Sequence, residues 1–516
     1  MPKKLPVGIQ SFEKIIQDGF YYVDKTRFIR MLLDQGGGYY FLSRPRRFGK
    51  SLFLDTLRQA FLGRRDLFEG LWLFDHWDWE IKHPVIHISF GAGVHRSIEE
   101  LQTTFYEILR YHERFYEVEL TYPSLKGKFK ELIESLYDKH GNKVVILIDE
   151  YDKPILDNIE DRETAREMRD ELKNFYSVIK DADQYIRFCF ITGVTKFSKV
   201  SIFSGLNNLE DITLSNQFST LCGYTQKELE DVFRDRLEGV DMEQVKTWYN
   251  GYSWGGEARL YNPFDILLFL REREFRPYWF ETGTPTFLIK LLEEKRVSIP
   301  LLEKVEAGEG LIGSFDIDFI EPEPLLFQTG YLTIESIRQL GPRRRYLLSY
   351  PNLEVRMSLT DHILNWYSHE PGEKERLIDR LYDALLENDL DKIKDLFHAF
   401  FSSIPHDWYR KNDLSGYEGY YASIFYCYFT ALGLDVRVED ATNHGRLDMA
   451  VLFEDRIYIF EFKVVELSPG GKALEQLKSK GYHEKYMGKA SKIYLIVVEF
   501  SKEDRNILGF EVEEVR

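Results

Sequence analysis

The chain has 516 residues, of which 44% are hydrophobic and 30% charged, with a formal net charge of −17. That length exceeds what one hydrophobic core organises, so about three domains are expected, and the balance excludes a disordered or fibrous chain. The acidic total excludes a protein that coats duplex nucleic acid through overall charge, while a local basic groove remains compatible with it.

No apolar stretch of signal-peptide length precedes Glu13, and no window reaches the roughly 18 apolar residues of a membrane helix. The three cysteines, Cys189, Cys222 and Cys427, are far apart and lack metal-type spacing. A disulfide framework and a structural zinc are therefore not expected, and a reduced, cytoplasmic setting is.

Short apolar runs at 39–42, 85–90, 144–148 and 187–192 predict strands, with amphipathic helices between them at, for example, 97–111 and 163–180. This alternation predicts a mainly parallel sheet covered by helices over 1–220. From 224 to 300 the pattern turns helical, with Thr225 as N-cap and Glu228 closing a capping box. Residues 325–350 read as short strands around Gly330, and 371–401 as a helical run. From about 415 a helix leads into two strands, a turn and a final helix–strand pair. The expected class is α/β multidomain, with domains at 1–220, 221–350, 351–404 and 405–516.

The segment from Tyr39 through Arg44-Pro45-Arg46-Arg47-Phe48-Gly49-Lys50-Ser51 delivers a strand into a tight loop and then a helix. A helix N-terminus offers outward N–H groups that favour phosphate. Lys50 would reach the β- and γ-phosphates and Ser51 would ligate Mg²⁺. Arg44 occupies the first glycine position of the G-x-x-x-x-G-K-[ST] pattern. By itself Gly-Lys-Ser also suits a solvated helix start. The run Val144-Val145-Ile146-Leu147-Ile148 ends in Asp149 and Glu150. Ligands bind beyond the carboxyl ends of strands in open α/β sheets, so Asp149 would hold Mg²⁺ and Glu150 would polarise the attacking water. Thr192, at the end of the 187–192 strand, is placed to contact the γ-phosphate. Arg44, Arg47 and Gly49 complete the candidate ATP loop.

Lys4-Leu5-Pro6-Val7-Gly8, Tyr22-Val23-Asp24-Lys25-Thr26 and Arg44 to Ser51 closely resemble the bacterial and archaeal AAA-ATPase-like proteins. Thr192-Gly193, Phe203-Ser204-Gly205-Leu206-Asn207-Asn208-Leu209, Trp248-Tyr249-Asn250-Gly251-Tyr252 and Tyr261-Asn262-Pro263 continue the likeness. So do Trp279-Phe280-Glu281-Thr282-Gly283-Thr284-Pro285 and Gln328-Thr329-Gly330-Tyr331-Leu332. The resemblance spans nearly the whole chain. It implies a divergent P-loop ATPase with an arginine in place of the first glycine, a helical lid and winged-helix-like piece over 225–350, and a C-terminal PD-(D/E)XK nuclease-like domain, of restriction-endonuclease-like α/β fold. Trp248, Tyr249 and Tyr252 read as core or lid packing rather than substrate contacts.

Near the C-terminus, Gly445 to Phe453 and Ile457 to Val464 flank the polar turn Glu454-Asp455-Arg456 and read as a hairpin. Strand alternation puts Glu461 and Lys463 on one face, and hairpin pairing brings Asp448 towards Glu461. Two carboxylates and the Phe462 carbonyl suit a hard cation, Mg²⁺ with Mn²⁺ as substitute. Such an ion lowers the pKa of bound water and stabilises phosphate charge, while Lys463 orients the water. A half-buried hairpin with a surface ion pair is the bland alternative. Glu418, on the preceding helix, is a candidate further ligand, and Gln476 and Tyr482 flank the site. Between Lys463 and Lys492 lie seven lysines and three glutamates, either a phosphate-tracking face or a solvated helix.

The leading expectation is an ATPase that gates or powers a Mg²⁺-dependent nuclease. Its partner would be nucleic acid, DNA foremost, bound by the C-terminal domain, with no membrane and with self-association into a homo-oligomer compatible. The alternative is a nucleotide-controlled switch whose C-terminal domain binds nucleic acid without cutting it.

Overall fold

Six consecutive buried residues, Val144 to Asp149, need cover on both faces, and the fold supplies it with helices on either side of a parallel sheet. In the computed structural model this strand is β3 (Val144–Asp149), beside β1 (Tyr39–Ser43), β2 (Val85–Ser89), β4 (Ile186–Gly193) and β5 (Glu210–Asp211), in the order β2-β3-β4-β1-β5. The structure describes residues 2–197, 202–203, 206, 208–255, 257–279, 286–312, 316–367, 371–404, 418–442, 445–465 and 473–515. Contacts divide the chain into two units, 1–279 with 306–352 and 280–305 with 353–516. No helix of the described residues is long and apolar enough to cross a membrane. All three cysteines are buried and unlinked.

Every pairing in the first sheet is parallel. Leu42 aligns with Thr192 and Ser43 with Gly193, Ile148 with Ile191, and Ser89 with Asp149. Because β4 stands between β1 and β3, the loop after β1 and the carboxylates after β3 flank the end of the same strand. The helices are capped as their sequences allow. Ser97 accepts from the Glu100 N–H, Ser124 from Gly127, and Asp161 from Glu163 and Thr164.

Beyond this sheet, Thr225 and Glu228 form the capping box. Three short strands, β6 (Tyr224–Thr225), β7 (Asn250–Tyr252) and β8 (Leu260–Tyr261), lie in the order β6-β8-β7. Tyr249 is fully buried among Phe269 and Tyr278, with Trp248 at the margin of that core. Tyr252 is buried against Phe48 at 4.8 Å between ring centroids.

Residues 325–329 are not strand. They belong to the helix Pro322–Thr329, which ends at Gly330 with φ +94°. Two prolines open the helix and a left-handed glycine closes it, the usual asymmetry of helix ends. The short run Leu325-Leu326-Phe327 has no period to reveal this. A hairpin follows, of β10 (Thr333–Leu340) and β11 (Arg343–Ser349), and β9 (Val305–Gly308) is the third strand of that sheet.

In the second unit the run 371–401 is two helices, Pro371–Glu387 and Leu390–Ser403. Asn388 breaks it with φ +55° and Asp389 caps the next helix by accepting from Lys392. The C-terminal sheet has five strands in sequential order: β12 (Asp435–Thr442), β13 (Gly445–Phe453), β14 (Arg456–Val465), β15 (Lys492–Ser501) and β16 (Ile507–Glu514). Only β14 and β15 pair in parallel, joined through the helix Ala473–Ser479. The two edge strands β12 and β16 were not expected. Their charge-rich sequences, such as Asp435-Val436-Arg437-Val438-Glu439, carry the polar character that protects an edge and hides a strand.

Gly251 has φ +134°, and a Cβ there would stand 1.8 Å from the Pro351 carbonyl oxygen. Gly251→Ala should therefore destabilise the N-terminal unit by about 2–4 kcal/mol, read as a fall in its thermal unfolding midpoint.

Candidate functional site

In the N-terminal unit the chain leaves β1 through 44–49 and enters the helix Lys50–Phe61. Gly49 makes the entry with φ +92°, and Arg47 also sits in the left-handed region at +68°. Lys50 is buried, and its ammonium donates to the carbonyls of Arg44 at 2.8 Å and Pro45 at 2.9 Å. Burial lowers its pKa, with Asp149 acting in the opposite direction. Ser51 lies half-buried in the first turn of this helix.

Arg44 belongs to the loop by its backbone, but its side chain turns into the interior. The guanidinium donates to the carbonyls of Ser43 (2.8 Å), Thr213 (2.9 Å) and Phe218 (3.4 Å) and lies 4.3 Å from the Trp254 ring centre. Burial pushes its pKa down to about 10. Such a side chain fixes the loop's path. Arg47 by contrast is exposed, over the Phe264 ring at 4.9 Å.

Across β4, the buried Asp149 accepts from the Thr192 hydroxyl at 2.6 Å and from the Glu150 N–H at 3.0 Å. Glu150 turns out of the strand with φ +52°. Its pKa is raised, first by burial and then by Asp149. Sequence reasoning missed Asp152. It is buried and accepts from the N–H groups of Val194 (3.0 Å) and Thr195 (2.6 Å) and from the Thr195 hydroxyl (2.7 Å). A Cβ at Gly193 would stand 2.6 Å from Asp152 Oδ1. The signal was present in the polar ends of β3 and β4, which parallel pairing had to bring together.

In the second unit, β14 has two unlike faces. Phe462 points to the helix Glu418–Ala431, its ring 5.1 Å from Phe425. Ile457 and Ile459 point the other way, into a core with Ala450, Leu477, Tyr482 and Tyr486. Strand alternation puts Glu461 and Lys463 on this second face, together with Asp448 of β13.

The β13–β14 pairing stops at Met449 and Phe460. One step beyond, the Phe462 N–H donates to Asp448 Oδ2 at 2.9 Å instead of to a backbone carbonyl. A strand residue's N–H and C=O point to the same edge, so the Phe462 carbonyl faces the gap where the strands part. Glu461 is buried. Its Oε1 accepts from Lys480 at 2.8 Å, while its Oε2 is buried with no hydrogen-bond partner among the described residues. Lys463 is half-buried and aligns with Glu499 in β15.

Lys480 was not singled out from the sequence, because it lies nineteen residues from its partner and just past the end of a helix. Its ammonium also lies 5.3 Å from the ring centre of the buried Tyr482. Glu418 is exposed and accepts from the Val464 N–H at 3.2 Å, which places it beside the site. No group of three metal-type side chains occurs among the described residues. The donor set that fits a divalent ion is thus Asp448, the orphaned Glu461 Oε2 and the Phe462 carbonyl, completed by water.

Three lysines of the basic stretch are engaged internally: Lys478 with Glu513, Lys480 with Glu461 and Lys492 with Glu514. The side chain of Gln476, the residues Ser204, Gly205 and Asn207, and the segment 280–285 lie outside the described residues.

Residues 6–203 match the family model of predicted AAA-ATPases, described as AAA-ATPase-like, and residues 416–510 match the PD-(D/E)XK nuclease superfamily. A protein of Azotobacter chroococcum mcd 1, named as an uncharacterized protein in the vnfD 5' region, is 54% identical over 512 residues, 99% of each chain. The chain belongs to this AAA-ATPase-like family with a C-terminal PD-(D/E)XK nuclease superfamily domain. In the AAA-ATPase-like part, the matched segment contains β1 to β4 and thus Arg44, Arg47, Gly49, Lys50, Ser51, Asp149, Glu150 and Thr192. The nuclease-superfamily segment contains Glu418, Asp448, Glu461, Phe462, Lys463 and Lys480.

Arg44→Gly would restore the commoner loop glycine but remove the donors to three carbonyls. It should destabilise the N-terminal unit by about 3 kcal/mol and weaken nucleotide binding, as measured by thermal unfolding and nucleotide titration. Asp448 is exposed as a residue, but desolvation of its carboxyl first and Glu461 second raise its pKa from 3.8 to about 6, against the Phe462 N–H. The metal-free folded chain then keeps a proton that the unfolded chain has released. Stability of the C-terminal unit should fall as pH rises from about 4 to about 6 and stay lower above it. Asp448→Asn should flatten that slope in urea unfolding with a chelator present.

Proposed function

We propose that the chain binds and hydrolyses ATP in its N-terminal unit and uses that cycle to gate or power phosphodiester cleavage of nucleic acid, DNA foremost, in its C-terminal domain. The observation that carries this reading is the parting of β13 and β14 at Asp448, which leaves a buried carboxylate oxygen of Glu461 beside Asp448 and the Phe462 carbonyl.

At the N-terminal site Lys50 exchanges the Arg44 and Pro45 carbonyls for the β- and γ-phosphates, and the loop N–H groups cradle them. Gly49 allows the backbone to approach. Ser51 and Asp149 would hold Mg²⁺, and Thr192 keeps Asp149 oriented. Glu150, whose raised pKa suits proton acceptance, orients the attacking water.

At the C-terminal site Asp448, Glu461 and the Phe462 carbonyl would hold Mg²⁺ or Mn²⁺, with Glu418 at the margin. A bound ion supplies Lewis-acid stabilisation and a more acidic water. Lys463 positions that water and offsets phosphate charge. Lys480 holds Glu461 in place. This reading places the protein in the cytoplasm and is compatible with a homo-oligomer.

A second reading is favoured by the Lys50 contacts. A lysine bound to its own loop must be released before nucleotide is held, which suits a switch whose C-terminal domain binds without cutting. The two separate in one assay with Mg²⁺ or Mn²⁺, several nucleic acids, and ATP present or absent. Asp448→Ala should lower cleavage by about 10²–10³, and Lys50→Ala should abolish ATP hydrolysis. Cleavage that survives Asp448→Ala removes the nuclease assignment, and binding without cleavage in the parent chain selects the switch.

A further inference from the structure

The hairpin β10–β11 carries a charge pattern that the nucleotide and nuclease sites do not use. Over residues 333–349 it has four arginines, Arg338, Arg343, Arg344 and Arg345, and a single acid, Glu335. Residues 335–345 are all exposed. None of the four arginines makes an ion pair among the described residues.

The register makes the concentration of charge costly. Arg338 stands directly opposite Arg345, Gln339 opposite Arg344, and Leu340 opposite Arg343. Like charges directly across a ladder destabilise it. Alternation puts Arg338, Arg343 and Arg345 on one face with Leu340, and Arg344 on the other with Gln339. Leu340, near the tip, is 58% exposed, and Ile337 is exposed as well.

The base of the hairpin, in contrast, is clamped. The Ser253 N–H donates to the Thr333 hydroxyl oxygen at 2.7 Å, and that hydroxyl donates to the Ser253 carbonyl at 3.2 Å. Arg259 donates to the carbonyls of Ile334 at 2.7 Å and Glu335 at 2.6 Å. A register shift between Ile334 and Ser336 adds local twist just above this clamp. The result is an anchored hairpin, bordered along β11 by the short strand β9 with its Glu306, whose outer stretch carries cationic faces and an apolar tip in a chain of net charge −17.

We infer that this arm is a duplex nucleic-acid contact, built into the unit that carries the nucleotide loop and separate from the nuclease-superfamily domain. The β10–β11 ribbon, with β10 as the edge strand of its sheet, has the form that the major groove admits. Arginines on both its faces then meet phosphates on both groove walls, which relieves the Arg338–Arg345 repulsion. Leu340, near the tip on the face with Arg338, Arg343 and Arg345, is left for apolar contact with base edges. The contact does not depend on whether the C-terminal site cuts.

The test uses the full chain, a fluorescent DNA duplex and a chelator, so that no cleavage occurs, with binding followed by anisotropy across a salt series. Replacing all four arginines, as R338Q/R343Q/R344Q/R345Q, should weaken binding at least about tenfold. It should also lower the slope of log K against log salt by about 0.9 for each arginine in contact. The corresponding four-lysine variant should keep the slope. R338Q/R345Q removes a like-charge pair, so it should keep the fold and still lower the slope. An unchanged affinity and slope in the glutamine variants overturns the inference. So does a lysine variant as defective as the glutamine one, or an arm that captures only an acidic protein and no duplex.

Discussion

An ionised group removed from water needs fixed partners, and in the N-terminal unit that requirement falls on Arg44. Its guanidinium is sealed under Trp254 and divided among three backbone carbonyls. Two of these, Thr213 and Phe218, come from the chain beyond β5. The loop between β1 and its helix is thereby tied to a segment about 170 residues away, and the position that usually needs a glycine is held by a strut instead. Lys50 then rests on the Arg44 and Pro45 carbonyls. The same few atoms fix both the loop and the lysine.

The C-terminal domain meets the same constraint differently. Glu461 is buried on the face that also holds Ile457 and Ile459, and a carboxylate there requires a counter-charge. Lys480 gives it one, through one oxygen only. Asp448 is held by a backbone N–H that the parting strands release. Strand separation and the carboxylate pair are thus one event: the ladder ends because a side chain takes over its hydrogen bond.

The motifs could be read from residues alone because their chemistry is local. Gly49-Lys50-Ser51 follows a strand, Asp149 and Glu150 end one, and Glu461 and Lys463 interrupt one. The positions of β1 to β4 and the Thr225–Glu228 capping box were legible for the same reason, whereas the two-residue β5 was not. What was hidden depends on partners distant in sequence. Asp152 matters through Thr195, Lys480 through Glu461, and Gly251 through Pro351. Edge strands β12 and β16 were hidden by their own charge. The helix Pro322–Thr329 passed for strand because three apolar residues in a row fit either period.

We propose that each unit builds its own cation-dependent site. Mn²⁺ binding followed by electron paramagnetic resonance tests it most directly. Without nucleotide the chain should bind Mn²⁺ at the C-terminal site, and Asp448→Ala should lose that signal while Lys50→Ala keeps it. Addition of ATP should create a second signal that Lys50→Ala loses and Asp448→Ala keeps. If either substitution abolished both signals, or neither removed its own, the two sites would not be the separate constructions described above.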